Sequence, residues 1–365
     1  MPWHGIEGHD AVVEQFRLSL ERGRLASTYL FVGPAGVGKH SFALKLAQAM
    51  LCQTRPAEQL DPCGQCAGCA QVMAGTHPDL LRIAKPSDRS LIPVELLIGS
   101  GEKRMHEGLC HDISLKPFMG GRRIALIDDA DLLNEEGANC LLKTLEEPPP
   151  RSVMILIGTS GERQLPTIRS RSQVIRFRPL PVEVVARLLL QEQATADPAE
   201  ARRLAAYSEG SLAKARELAD ADLWRFRGDL LSRLAEPRLD SVRLAKAVAA
   251  FVDEAGKEAP PRRARARQLV VFAAEFYRQL ARVVSGAATT DDGDLKPILD
   301  TAAAHWPADE ETAAACAERS LEALSHIDRN ANQSAWIEAW LDDLARITSR
   351  SSAGVARLSV ARSGR

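Results

Sequence analysis

The chain has 365 residues, 45% hydrophobic and 26% charged, the balance of an ordinary globular protein long enough for two or three domains. A formal net charge of −1 excludes attraction to nucleic acid through overall charge, so any such contact must come from a local patch. No uncharged apolar run reaches the roughly 18 residues of a membrane span, and Met1-Pro2-Trp3-His4-Gly5 does not open a secretory leader, so a cytoplasmic protein without a membrane partner is expected.

Asp10–Arg22 carries Val12, Val13, Phe16, Leu18 and Leu20 between charges and predicts an amphipathic helix. An apolar strand, Tyr29 to Val32, then runs into Gly33-Pro34-Ala35-Gly36-Val37-Gly38-Lys39, and a helix follows over Ser41–Leu51. Strand, glycine loop and helix form the pattern that wraps backbone N–H groups around a polyphosphate. Gly33, Gly36 and Gly38 let the loop curl, and Lys39 supplies charge for the outer phosphates. The next position normally holds Ser or Thr, whose hydroxyl ligates Mg²⁺, and here it is His40. ATP, with Mg²⁺, is the cofactor such a loop accepts, and the histidine argues against efficient hydrolysis.

Seven cysteines is an odd number, and four of them cluster: Cys52, then Cys63, Cys66 and Cys69 at successive C-x-x-C spacing. In a reducing compartment this set predicts a closed, tetrahedral, structural Zn²⁺ site. Free loop cysteines and a redox pair are the competing readings, and the third evenly spaced cysteine has no role in a redox pair.

Pro78–Ile83 predicts a short strand, Lys85–Ser90 a polar loop and Pro93–Met105 a helix. The run Arg122 to Ile127 followed by Asp128, Asp129 and Asp131 predicts a buried parallel strand that delivers carboxylates to its C-terminal edge. Asp128 is placed there to hold Mg²⁺ through water. Ser152–Ser160 is a further buried strand ending near Thr159. Pro179 and Pro181 mark a boundary, and Val182–Ala219 fits three short helices. From Asp220 the pattern is helical throughout, over Leu223–Leu234, Leu239–Glu254, Arg262–Val284, Glu310–Asp328 and Ser334–Ile347. Trp336 and Trp340 are expected in its core, the arginine run Arg262–Arg267 on a solvated face, and Ser349–Arg365 in a disordered tail.

The segment Asn134 to Pro149, ending G-A-N-C-L-L-K-T-L-E-E-P-P, resembles the A-N-A-L-L-K-T-L-E-E-P-P signature of bacterial clamp-loader AAA+ subunits, the family of the gamma/tau and delta-prime subunits of DNA polymerase III. Ser170-Arg171 likewise resembles the family's S-R-C element, with Ser172 in place of the cysteine. The resemblance covers about residues 1–347. It implies an α/β P-loop AAA+ domain over 1–178, a parallel sheet with helices on both faces and a zinc module inserted at about 52–69. A three-helix lid over 179–219, an all-α collar over 220–347 and a tail over 348–365 would follow. It also implies that Thr159 senses the terminal phosphate and that Arg171 reaches into a neighbouring subunit's ATP site. The implied partners are the gamma/tau and delta subunits, with the sliding clamp and primed DNA. Hydrolysing members carry Glu at position 129 and Arg at position 213, where this chain has Asp129 and Ala213. Those departures, with His40, point to the delta-prime branch, with its own ATPase weak or absent, over a hydrolysing gamma/tau-type subunit. Readings from other classes are a self-contained motor or nucleotide kinase, and a zinc-dependent DNA-binding module.

Overall fold

The computed structural model describes residues 3–119, 121–287, 292–306, 309–329 and 331–362. The chain divides into two compact units, Met1–Ala219 and Asp220–Arg365. The first unit is built on five parallel strands, β1 (Thr28–Val32), β2 (Leu80–Ile83), β3 (Arg123–Ile127), β4 (Ser152–Ile157) and β5 (Gln173–Arg176), in the order β2-β3-β4-β1-β5. β1 lies between β4 and β5 with all five residues buried, which is why it reads as an unbroken apolar run. Alternate side chains of each strand enter opposite layers. Tyr29 and Phe31 of β1, with Ile124 and Leu126 of β3, meet α1 (Asp10–Glu21) and α2 (Lys39–Met50) through Phe16, Phe42 and Leu46. Leu30, Val32, Ala125 and Ile127 face the other layer, formed by α4 (Glu95–Ile98), α5 (Leu109–Ser114), α6 (Glu135–Glu146) and α7 (Pro166–Ser170). Phe42 is fully buried among Phe16, Phe31 and Phe177, and truncating such a ring costs roughly 3–5 kcal/mol.

Between α2 and β2 runs the cysteine loop, which ends in α3 (Ala67–Ala74). The helix expected over Pro93–Met105 does not form as one element. It stops as the single turn of α4, and one 3₁₀ turn follows at Gly101–Lys103, because Gly99 and Gly101 take φ of 76° and 55°. Lys103 and Arg104 there pair with Glu107 and Glu136, as solvated charges do. The unit closes with α8 (Val182–Gln191), α9 (Pro198–Tyr207) and α10 (Leu212–Glu217).

The second unit is helical: α11 (Ala221–Leu234), α12 (Ser241–Asp253), α13 (Ala259–Val284), α14 (Leu295–His305), α15 (Glu310–Asp328) and α16 (Gln333–Arg362). Trp340 is fully buried and donates its indole N–H to Ser320 Oγ at 3.2 Å, and Trp336 is also buried, so this pair belongs to the core. In the arginine run, Arg265 reaches Asp220 and lies over the Phe251 ring, Arg262 pairs with Asp253, and Arg267 pairs with Asp328. Two expectations need correction. Helix α14 was not foreseen, and α16 continues through Arg362, so the segment read as a disordered tail from Ser349 onward is helical up to that residue, with 363–365 outside the described residues. Ala353, Ala356, Arg357, Leu358 and Ala361 in that stretch are good helix formers, which a search for an apolar stripe overlooks. Among the described residues no helix is long and apolar enough to cross a membrane.

Candidate functional site

The loop after β1 lines a cleft of about 530 Å³ that also takes in Thr159 after the neighbouring β4 and Asp128 and Asp129 after β3. Two glycines are required by contact as well as by conformation. A side chain at Gly33 would lie 2.2 Å from the Phe177 carbonyl oxygen, and one at Gly36, where φ is 73°, would lie 2.3 Å from Ser211 Oγ and 2.6 Å from the Ala213 methyl. Ala213 is therefore where α10 seats on the loop, and the Leu212 N–H donates to the Gly36 carbonyl at 3.0 Å. From the opposite side, buried His9 donates through Nε2 to the Val37 carbonyl at 2.7 Å. Burial holds His9 below its ordinary pKa, which suits a neutral ring donating from Nε2. Lys39 is buried, and its ammonium donates to the Gly33 and Pro34 carbonyls, both at 2.6 Å. Desolvation pulls its pKa down, while Asp128 and Asp131 act in the opposite direction. The residues Gly36, Gly38, Lys39, His40, Asp128, Asp129 and Thr159 thus line one cleft, and Gly33 contributes a carbonyl to the lysine.

His40 does not point idly into solvent. Its Nδ1 lies 2.8 Å from Asp128 Oδ2, and its Nε2 lies 3.3 Å from an Arg82 guanidinium nitrogen. A guanidinium can only donate, so Nε2 is the acceptor and the ring proton sits on Nδ1, close to the carboxylate but outside hydrogen-bond geometry. Burial alone would raise the Asp128 pKa, but the contact with His40 and the Asp129 backbone N–H outweigh it and hold the carboxyl below its usual range. Asp129 is exposed, at φ 53°, with its carboxyl pushed up by desolvation and by Asp128.

Several functional neighbours escape a reading of the sequence. Asp131 accepts from the Thr159 backbone N–H at 2.6 Å, from the Thr159 hydroxyl at 2.5 Å and from Gln164 Nε2 at 2.7 Å, so the Thr159 hydroxyl is already committed. Gly158 permits this, since a side chain there would lie 2.4 Å from Asp131 Oδ1. Arg163 and Arg216 also line the cleft. Arg216 stands three residues after Ala213 on α10, about one turn along the same face, and is held by Glu192 at 2.7 and 2.5 Å. That spacing was the signal available in the sequence. Arg171, by contrast, does not line this cleft. It caps the end of α7, is exposed, donates to the Thr167 carbonyl at 3.1 Å and pairs with Glu146 at 2.6 Å.

The four clustered cysteines bring their sulfurs within 4.8 Å of one another, with Cys52 to Cys66 at 3.9 Å and Cys63 to Cys69 at 3.8 Å. A tetrahedron with metal–sulfur bonds of 2.3 Å has sulfurs about 3.8 Å apart, so the set fits one metal ion. Cys66 caps α3 by accepting from the Cys69 N–H at 3.4 Å, and Cys63 accepts from the Gln65 and Cys66 N–H groups at 3.4 and 3.3 Å. Such N–H···S bonds favour thiolates, the form that binds metal. Contacts with Thr54 and those amides draw the Cys63 thiol down to about 5, while burial pushes Cys69 up to about 12.

A glycine loop with a buried lysine, set between a central parallel strand and a helix and faced by carboxylates from the end of β3, one strand beyond β4, defines a phosphate-loop α/β domain. Residues 8–181 match the family described as "DNA polymerase III, delta subunit". The chain is 36% identical over 198 residues to the DNA polymerase III subunit delta' of Pseudomonas aeruginosa, covering 54% of this chain and 57% of that one. It is 31% identical over 224 residues to the delta' subunit of Escherichia coli, covering 61% and 63%, and 32% identical over 220 residues to the tau subunit of that organism, covering 59% and 32%. The first unit is thus similar to the delta' subunits of DNA polymerase III. The chain spans about three fifths of the length of the delta' relatives it matches, and the family match ends before the helical second unit.

Proposed function

We propose that this chain is the delta-prime-type subunit of a DNA polymerase III clamp loader, taking part in ATP-dependent loading of a sliding clamp onto primed DNA. Its first unit serves as the AAA+ domain with the helices of 179–219 as lid, and its second unit as the collar that joins it to gamma/tau and delta subunits. The observation that carries this reading is the contact between His40 and Asp128: the acid that would position Mg²⁺ is engaged by a histidine of its own chain. The cleft therefore binds ATP through Lys39 and the loop amides and turns it over at background. Arg171 lies outside the chain's own cleft, on an exposed helix end, and is offered to the neighbour's terminal phosphate, where a guanidinium stabilises the charge of the transferring phosphoryl group. The cysteine set holds a structural Zn²⁺ that ties the end of α2 to α3.

The competing reading is a hydrolysing gamma/tau-type subunit, favoured by the intact loop and the buried Lys39. Two measurements separate them. Reconstitution with gamma/tau and delta should give clamp loading on primed DNA that depends on this chain. The isolated protein should show no steady ATP turnover, and turnover abolished by Lys39→Ala would decide for the hydrolysing reading.

A further inference from the structure

We propose that this cleft takes its nucleoside triphosphate without magnesium, with His40 occupying the place of the metal. The inference rests on the reading of the cleft as a nucleotide site and adds what that site requires of its ligand.

In a phosphate loop the ion is held by the hydroxyl after the lysine and by the acid at the end of the neighbouring strand. The first donor is absent here, and the second is met by groups of its own chain. Position 40 carries an imidazole, and both oxygens of Asp128 have neighbours: His40 Nδ1 lies 2.8 Å from Oδ2 in an ion-pair contact without hydrogen-bond geometry, and the Asp129 N–H donates to Oδ1 at 3.1 Å. Mg²⁺ demands near-octahedral oxygen ligands at about 2.0–2.1 Å, whereas an imidazole nitrogen suits softer transition metals. The remaining nitrogen of the ring is turned to Arg82. A magnesium ion could enter only by breaking the pair and displacing the imidazole, and it would recover no oxygen ligand from residue 40. These residues do not fit the ion.

The charge the metal would supply is present in the protein. Lys39, Arg163 and Arg216, the last of them paired with Glu192, line the cleft, and the N-terminus of α2 opens into it through Lys39, His40 and Ser41. The phosphates are met by fixed cations and amides, with no ion to bridge the outer two. Such a site holds a triphosphate but lacks the ion that bridges the outer two phosphates as the bond to the terminal one breaks.

The test is calorimetric titration of the full chain with ATP in excess EDTA, in excess Mg²⁺ and in excess Mn²⁺. The expected result is the same affinity in all three, lost in Lys39→Ala. His40→Thr, which restores the hydroxyl and frees Asp128, should bind ATP roughly tenfold or more tightly with Mg²⁺ than with EDTA. Electron paramagnetic resonance of Mn²⁺ with ATP should show a protein-bound ion in His40→Thr and none in the parent chain. Wild-type affinity strengthened tenfold by either cation, or a bound Mn²⁺ signal in the parent, overturns the proposal while leaving the nucleotide reading intact. No binding in any buffer, or binding that survives Lys39→Ala, contradicts the nucleotide reading and the proposal with it.

Discussion

Two places in the first unit carry sequence patterns associated with a metal ion, and the structure treats them differently. At the cysteine module all four donors turn inward, and sulfur separations of 3.8 and 3.9 Å leave one central position for an ion. At the strand edge of the cleft the acid is in place, but the chain answers it with its own His40. Donor spacing along the chain thus brings groups to a site. What they do there depends on whether their valences point at a common empty centre or at each other.

The largest effect is expected at the module, where four donors converge on one position and metal binding would add directly to folding free energy. Elemental analysis should find one equivalent of zinc in the parent chain and none in Cys66→Ser, with a lowered thermal midpoint in the variant. A variant retaining stoichiometric zinc would break the contrast at its stronger end. Next comes Gly36→Ala, which forces a side chain into Ser211 and Ala213 at positive φ; it should cost about 1–3 kcal/mol in denaturant unfolding. Asp131→Ala strands the Thr159 hydroxyl and the Gln164 amide and should cost about 1–3 kcal/mol, without changing zinc content. The smallest effect concerns acid. Because the folded carboxyl of Asp128 sits below its ordinary value, its contribution to stability is present above the unfolded value, near pH 4, and is lost as pH falls through the folded one. Asp128→Asn should flatten that part of the acid unfolding curve, and an unchanged curve would mean that the pair with His40 does not form in solution.

The two regions also differ in how much of them the sequence discloses. The glycine loop, the acids of Asp128 and Asp129 and the three evenly spaced cysteines are contiguous motifs, so their chemistry is written in short spacings. The partners that give the cleft its character are long-range. His40 meets Asp128, Asp131 meets Thr159 and Gln164, and His9 meets the Val37 carbonyl, and no local pattern couples those positions. The break at Gly99 and Gly101 was visible as two glycines, but an apolar spacing that suits a helix outweighed them. Helix α14 begins Leu295-Lys296-Pro297, where a proline reads as an interruption although it is tolerated in a first turn.

The proposed division of labour between a silent cleft and an outward-facing arginine is tested most directly by the ATPase rate of complexes reconstituted with gamma/tau and delta. Arg171 forms one exposed pair with Glu146, so Arg171→Ala should change the stability of its own subunit by no more than about 1 kcal/mol and leave assembly intact. The expected result is a partial loss of DNA- and clamp-stimulated hydrolysis with Arg171→Ala and a smaller loss, or none, with Lys39→Ala. Full hydrolysis with Arg171→Ala together with a large loss in Lys39→Ala would contradict the account.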